Sequence, residues 1–318
     1  MSMTKMLGVA AALAMMGGLA ACDKSKPELD STRRQLQNVT MERDSLKGQL
    51  EDSRRRAAVL QQQVAEIQAK LSAAAAALVG LLTKLRTEKK IGDNIAMVSV
   101  ADGFGIDLSK AARAGFEKAK FKLVYDKSYP IGTQDMSPVV GEAQRSGADV
   151  FVAFSYPPDT IALTEQSRLS SYAPKVMFLG VGVGFPLYPG RFKENTEGIM
   201  SLGGWSADNA AITDYRKKHN DMHKRDPDYW GSQVGYASLQ ALEQAIERVG
   251  KIDRAAIIKE LQNGTFDTVL GKIKFTDNTL TNAFWLIGQW QGGFYTGVAP
   301  DRAGAKPVVV PKPAWKAQ

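Results

Sequence analysis

Two hydrophobic periods divide this chain. From Leu29 to Leu85 the seam positions alternate at spacings of three and four: Leu29, Thr32, Leu36, Val39, Arg43, Leu46, Leu50, Ser53, Ala57, Leu60, Val64, Ile67, Leu71, Ala74, Leu78, Leu81 and Leu85. Fourteen of these seventeen are apolar. A 3.5-residue repeat sustained this long keeps one stripe facing a partner only if the helices supercoil, so the pattern predicts a left-handed coiled coil roughly 85 Å long. The stripe is two positions in seven, narrower than the broad apolar face of a helix lying on a membrane. A disordered polar tether would not hold register over such a length. Glu28 toward Arg33 and Glu42 toward Lys47 supply matching flank charges in a parallel homo-oligomer. The seam is weakest at Arg43, Ser53 and Ala57, and the run Ala73 to Ala77 favours helix without adding packing.

From residue 91 the period changes to alternating strands and amphipathic helices. The expected order is strand Asn94–Val100, helix Asp107–Ala119, strand Lys122–Tyr129, helix Gln134–Ser146, strand Asp149–Ser155, helix Pro158–Tyr172, strand Lys175–Gly180 and an extended Thr196–Trp205. Strands separated by single helices form a parallel, doubly wound α/β sheet. Asp107 is the expected cap of the first helix, Pro158 suits a first helical turn, and Gly147 suits a stop. Further helices are expected at Asn209–Lys224, Trp230–Val249 and Arg254–Gln262. A strand-rich end follows, TVLGKIKF and AFWLIGQWQGGFYTGV, with a Gln-Gly-Gly turn.

Ahead of both regions stands one basic residue, Lys5, and then the apolar run MLGVAAALAMMGGLAAC, too short for a stable membrane span. Leu19-Ala20-Ala21-Cys22 resembles the lipobox of bacterial lipoproteins. That resemblance implies a signal peptide over residues 1–21, lipidation of Cys22 and a mature start there. Asp23 resembles an inner-membrane retention signal, implying the periplasmic side of the inner membrane. Cys22 is the single cysteine in 318 residues, so the fold has no internal disulfide. The charge is uneven as well. Residues 23–90 carry 14 Lys and Arg against 9 Asp and Glu, and residues 91–318 carry 26 against 24. The basic excess belongs to the segment next to the anchor, where anionic head groups attract it, and the nearly neutral remainder argues against a nucleic-acid partner.

Four stretches carry a wider resemblance: DGFGIDLSKAARAGFEKA, SYPIGTQDMSPVVGEAQRSGADVFVAFSYPPDTIAL, FLGVGVG, and GYASLQALEQAIERVG followed by TVLGKIKF. In this order and spacing they resemble the leucine/isoleucine/valine-type periplasmic binding proteins of ABC transporters, over residues 91–310. The resemblance implies lobe two at 91–205 and a returning segment with a tail at 206–318, behind a lipid-anchored stalk at 22–90. The segment that begins lobe one in that family has no counterpart here. The expected fold is therefore one complete α/β lobe and an incomplete second lobe, with the returning strands short of sheet partners. Family ligand contacts fall on Phe104, Tyr156 and Gly182. Aromatic rings there would cover an apolar ligand, although aromatics at strand-to-helix turns also serve to cover a sheet edge. A glycine at 182, where an acid often holds an ammonium group, suits an amide or aromatic acid better than a free amino acid.

Other motifs carry less. His219 and His223 share a helix face at a metal-pair spacing, but Lys217, Lys218, Lys224 and Arg225 around them repel a cation. Gly180-Val181-Gly182-Val183-Gly184 lacks the spacing of a dinucleotide loop. No nucleophile elbow or paired-cysteine motif is present, so neither an enzyme, a metal nor a cofactor is expected. The reading is a non-enzymatic solute-binding component serving an ABC permease, held to a membrane by lipid on Cys22 and oligomeric through its coil. The alternative is a scaffolding lipoprotein whose coil is the working part and whose remnant domain binds nothing.

Overall fold

The long repeat forms one helix, α1 (Lys26–Thr87). The computed structural model describes residues 26–206, 209–276, 279–280 and 285–317, so Cys22 and the segment before it lie outside the described residues. The chain divides into two compact units, one ending at Ala65 and one spanning Glu66–Gln318. In the first, the seam residues Leu29, Leu36, Val39, Leu46, Leu50, Leu60 and Val64 are 51–64% exposed, so nothing among the described residues buries them.

In the second unit the same stripe has another use. Ala75, Leu78, Leu81, Leu82 and Leu85 are buried in a core shared with Ile91, Ile95, Met97, Leu108, Ala112 and Phe116. The heptad reading runs the stalk to residue 90 and gives Leu78, Leu81 and Leu85 to a partner helix. The structure differs, because a 3-4 spacing presents one face of a helix equally well to a sheet. Arg86 closes the joint by donating to the Ala119 carbonyl at 2.8 Å while its guanidinium lies 4.1 Å from the Phe121 ring centre.

Next come β1 (Asn94–Val100), α2 (Gly103–Lys118), β2 (Lys122–Tyr129), α3 (Ser137–Arg145), β3 (Val150–Phe154), α4 (Pro157–Leu169), β4 (Val176–Leu179), α5 (Leu187–Phe192) and β5 (Ile199–Leu202). These strands are parallel, and the side chains of β3 alternate between two buried faces: Val150, Val152 and Phe154 lie on the α1 and α2 side, Phe151 and Ala153 on the other. Burial on both faces is why β3 reads as an unbroken apolar run. The first turn of α2 departs from expectation, since its cap is Asp102, whose Oδ1 accepts from the Gly105 N–H at 3.0 Å. A Cβ on Gly115 would stand 2.7 Å from Val79 Cγ2, so α2 meets α1 at a separation that glycine permits.

The returning segment contains α6 (Ala210–His223), α7 (Ser232–Val249), α8 (Arg254–Asn263), β6 (Thr265–Thr268), β7 (Gly271–Thr276), β8 (Thr279–Leu280), β9 (Ile287–Gln291) and β10 (Phe294–Ala299). Its last two strands do not lack sheet partners. β9 pairs antiparallel with β5, placing Gln289 opposite Met200, and β10 pairs with β9. Among the described residues the sheet thus has seven strands, in the order β10-β9-β5-β4-β3-β1-β2. Ile287 and Trp290, three positions apart on β9, fall on opposite faces of the sheet and are both buried. The helices α7 and α8 close a separate small core over β6 and β7 through Ala241, Ala245, Ile257, Phe266 and Ile273.

Candidate functional site

At the carboxyl ends of β1, β3 and β4, three neighbouring strands, the chain turns into loops, and there the sheet assembles a polar and aromatic cluster. Phe104 enters from the first turn of α2 and Tyr156 caps α4. Their rings stack with centroids 5.0 Å apart and planes 26° from parallel. The Tyr156 hydroxyl donates to Asp102 Oδ2 at 2.8 Å, while the other Asp102 oxygen caps α2. One carboxylate therefore fixes both the helix that carries Phe104 and the ring that stacks on it. Gly105 completes the turn, because a Cβ there would collide with the Val100 carbonyl oxygen at 1.9 Å.

A second carboxylate lies deeper. Asp159 is buried and accepts from the Tyr129 hydroxyl and the Tyr156 N–H, both at 3.4 Å. Burial raises its carboxyl above the usual range, with those two donors opposing the shift. Burial also pushes the Tyr156 hydroxyl up to about 12, reinforced by its bond to Asp102, so it remains a donor throughout the physiological range.

Gly182 lies on the loop after β4, against Pro157 at the start of α4. Its φ of +111° lies in a region that side chains rarely adopt, and a Cβ would come within 2.9 Å of Pro157 Cα. The absence of a side chain is therefore a packing requirement of the loop. The loop is pinned by Thr160 Oγ1, which donates to the Val181 carbonyl at 2.7 Å, and by the Gly180 N–H, which donates to Ser155 Oγ at 3.2 Å. Just beyond, Phe185 approaches Trp230 with ring centres 6.3 Å apart, and the Tyr229 N–H donates to the Gly184 carbonyl at 2.9 Å. All three expected contact positions thus lie at one sheet edge. Sequence reasoning missed Asp102, Asp159 and Tyr129; the one local signal was an acid directly before the Gly-Phe-Gly that opens α2. The His219 and His223 rings lie 4.6 Å apart and tilted by 50°, and His219 Nδ1 lies 3.0 Å from the Arg225 carbonyl.

Loops at the carboxyl ends of parallel strands are where open α/β sheets take ligands. A stacked aromatic pair with one fixed hydroxyl suits a small ligand that has an apolar body and a hydrogen-bonding end.

Comparison with known proteins places this arrangement. Residues 69–293 match the family model described as Periplasmic binding protein, and the chain belongs to that family. The match begins inside α1, ahead of the turns that pack on the sheet. The Leu/Ile/Val-binding protein homolog 7 of Brucella suis is 25% identical over 243 residues, covering 69% of this chain and 58% of that protein. The Leu/Ile/Val/Thr-binding protein of Salmonella typhimurium is 26% identical over 195 residues, covering 60% and 51%. The chain therefore spans little more than half the length of these relatives. Among solved structures, a putative branched-chain amino acid ABC transporter from Silicibacter pomeroyi superposes with a TM-score of 0.61 at 16% identity, covering 77% of this chain and 68% of the other. A solute-binding protein from R. palustris in complex with benzoate gives 0.60 at 14%, covering 77% and 64%. These structural likenesses concern the fold.

Proposed function

We propose that this chain is the lipid-anchored, periplasmic solute-binding component of an ABC transporter for branched-chain amino acids or related small amides and aromatic acids. The Phe104–Tyr156 stack at the strand ends carries the reading. Phe104 and Tyr156 cover the apolar part of the ligand, and the Gly182 loop forms the floor beside it. Cys22 bears the lipid that holds the protein on the inner membrane, and the exposed seam of α1 from Leu29 to Val64 joins copies of the chain. The ligand passes to a permease with no bond made or broken.

One sheet edge buries only part of a ligand, so affinity is expected in the millimolar range. Calorimetric titration with leucine and benzamide tests the reading. Saturable heat that disappears in Tyr156→Ala supports it, whereas micromolar binding untouched by that substitution sinks the site.

A second reading, a scaffolding lipoprotein with a silent domain, is favoured by the exposure of the α1 seam and by the half-length match to binding proteins. Silence toward every ligand, together with a stable oligomer, would select it.

A further inference from the structure

A second cavity-forming cluster lies at the opposite end of the strands. After β10 the tail runs back beneath the amino ends of β4 and β5, held by the Lys312 N–H on the Lys175 carbonyl at 2.8 Å and by the Trp315 indole N–H on the Tyr172 carbonyl at 2.7 Å. Asn195 fixes the last turn by donating to the Lys316 carbonyl and accepting its N–H. Between tail and sheet is a cavity of about 700 Å³ lined by Trp290, Pro189, Pro313, Lys193, Lys312 and Asn195, among others. That volume is in the range of small-molecule sites.

The telling residue is Lys312, only 5% exposed. Its ammonium donates to the Pro313 carbonyl at 2.7 Å and sits 3.4 Å from the centre of the Trp315 ring. Neither partner carries a negative charge. A buried ammonium without a counter-charge is costly, and burial lowers its proton affinity accordingly. The neighbouring carboxylates are engaged elsewhere: Glu194 pairs with Lys316, and Glu197 accepts from the Gly292 N–H. Lys175 pairs with Asp149. Among the described residues that line the cavity, Lys193, Lys312 and Lys316 face Glu194 and Glu197, an excess of one positive charge.

We infer that this cavity is a second ligand site, in which Lys312 receives the carboxylate of a small monoanion whose apolar body lies against Trp290, Pro189 and Pro313. A dianion such as phosphate would meet Glu194 and Glu197 at the rim and is disfavoured. The site is independent of the one at the Phe104–Tyr156 edge and lies in part beyond the family match, which ends at residue 293.

Nuclear magnetic resonance titration of the full chain at pH 7 with benzoate, acetate and inorganic phosphate tests this, read at the Trp315 indole N–H. The expected result is a saturable shift with benzoate, weaker with acetate and weakest with phosphate. Lys312→Met, which keeps the aliphatic stem, should weaken benzoate by about tenfold or more, and Lys312→Arg should retain it. Wild-type affinity should also fall by at least about tenfold between pH 7 and pH 10 as the ammonium is lost, a readout that needs no variant. No Trp315 shift, a preference for phosphate, equal binding by Lys312→Met, or affinity unchanged at pH 10 would each overturn the proposal and leave Lys312 as a clamp for the tail.

Discussion

Asp102 binds the Tyr156 hydroxyl with one oxygen, at 2.8 Å, and the first turn of α2 with the other. It thereby couples the ends of β1 and β3, so the aromatic pair is set by a residue outside the pair. Tyr156→Phe should cost about 1 kcal/mol in denaturant unfolding while leaving the ring in place. Asp102→Ala should cost more, about 1–3 kcal/mol, because it also strips a helix cap. Equal effects of the two substitutions would contradict the shared role of the carboxylate.

Gly182→Ala tests the loop. Its positive φ and the 2.9 Å approach of Pro157 Cα together predict a loss of about 1–3 kcal/mol, read as a lower melting temperature. A neutral result would mean that the loop relaxes freely.

The two stretches of α1 should respond differently. Leu78 is 1% exposed and Leu46 is 56% exposed. Leu78→Ala should destabilise the α/β unit by about 2–5 kcal/mol, and Leu46→Ala should leave its unfolding within about 0.5 kcal/mol of wild type. Sedimentation equilibrium of the Leu46 variant would then report the proposed self-association by itself.

Lys312 predicts a distinctive pH dependence. Burial lowers its ammonium from 10.5 to about 8, so the unfolded chain binds this proton more tightly than the fold does. The resulting penalty is fully present below pH 8, on the order of 3 kcal/mol, and fades as pH rises to 10.5. Lys312→Met should therefore stabilise the protein at pH 7 by about 1–3 kcal/mol once the lost contact with Trp315 is counted, and the gain should vanish near pH 10.5. A gain that is constant with pH would show that charge is not its cause.

Much of this fold is legible in the sequence. Strands Asn94–Val100 and Lys122–Tyr129 lie where the alternation of strands and helices places them. The start of α2 was obscured because Gly103 and Gly105 are poor helix formers, and the cap that overrides them is a side-chain bond from Asp102. The end of α1 is ambiguous in the sequence for a different reason, since a seam of leucines does not say whether a helix or a sheet covers it. The returning strands carry Gly288 and Gly297, and nothing local tells that β9 will align beside β5. At the site, Phe104, Tyr156 and Gly182 could be found because strand ends are local features. Asp159 and Tyr129 could not, because they meet across 30 positions of sequence; nor could the burial of Lys312, whose backbone is held on the distant Lys175.

The central claim is that ligand binds where Phe104 meets Tyr156, and resonance mapping tests it most directly. With leucine or benzamide added to the full chain, the account predicts the largest shifts at Phe104, Tyr156 and the Gly180–Gly184 loop, all abolished in Tyr156→Ala while the remaining spectrum stays folded. Shifts confined to any other surface, or persisting in that variant, would contradict it.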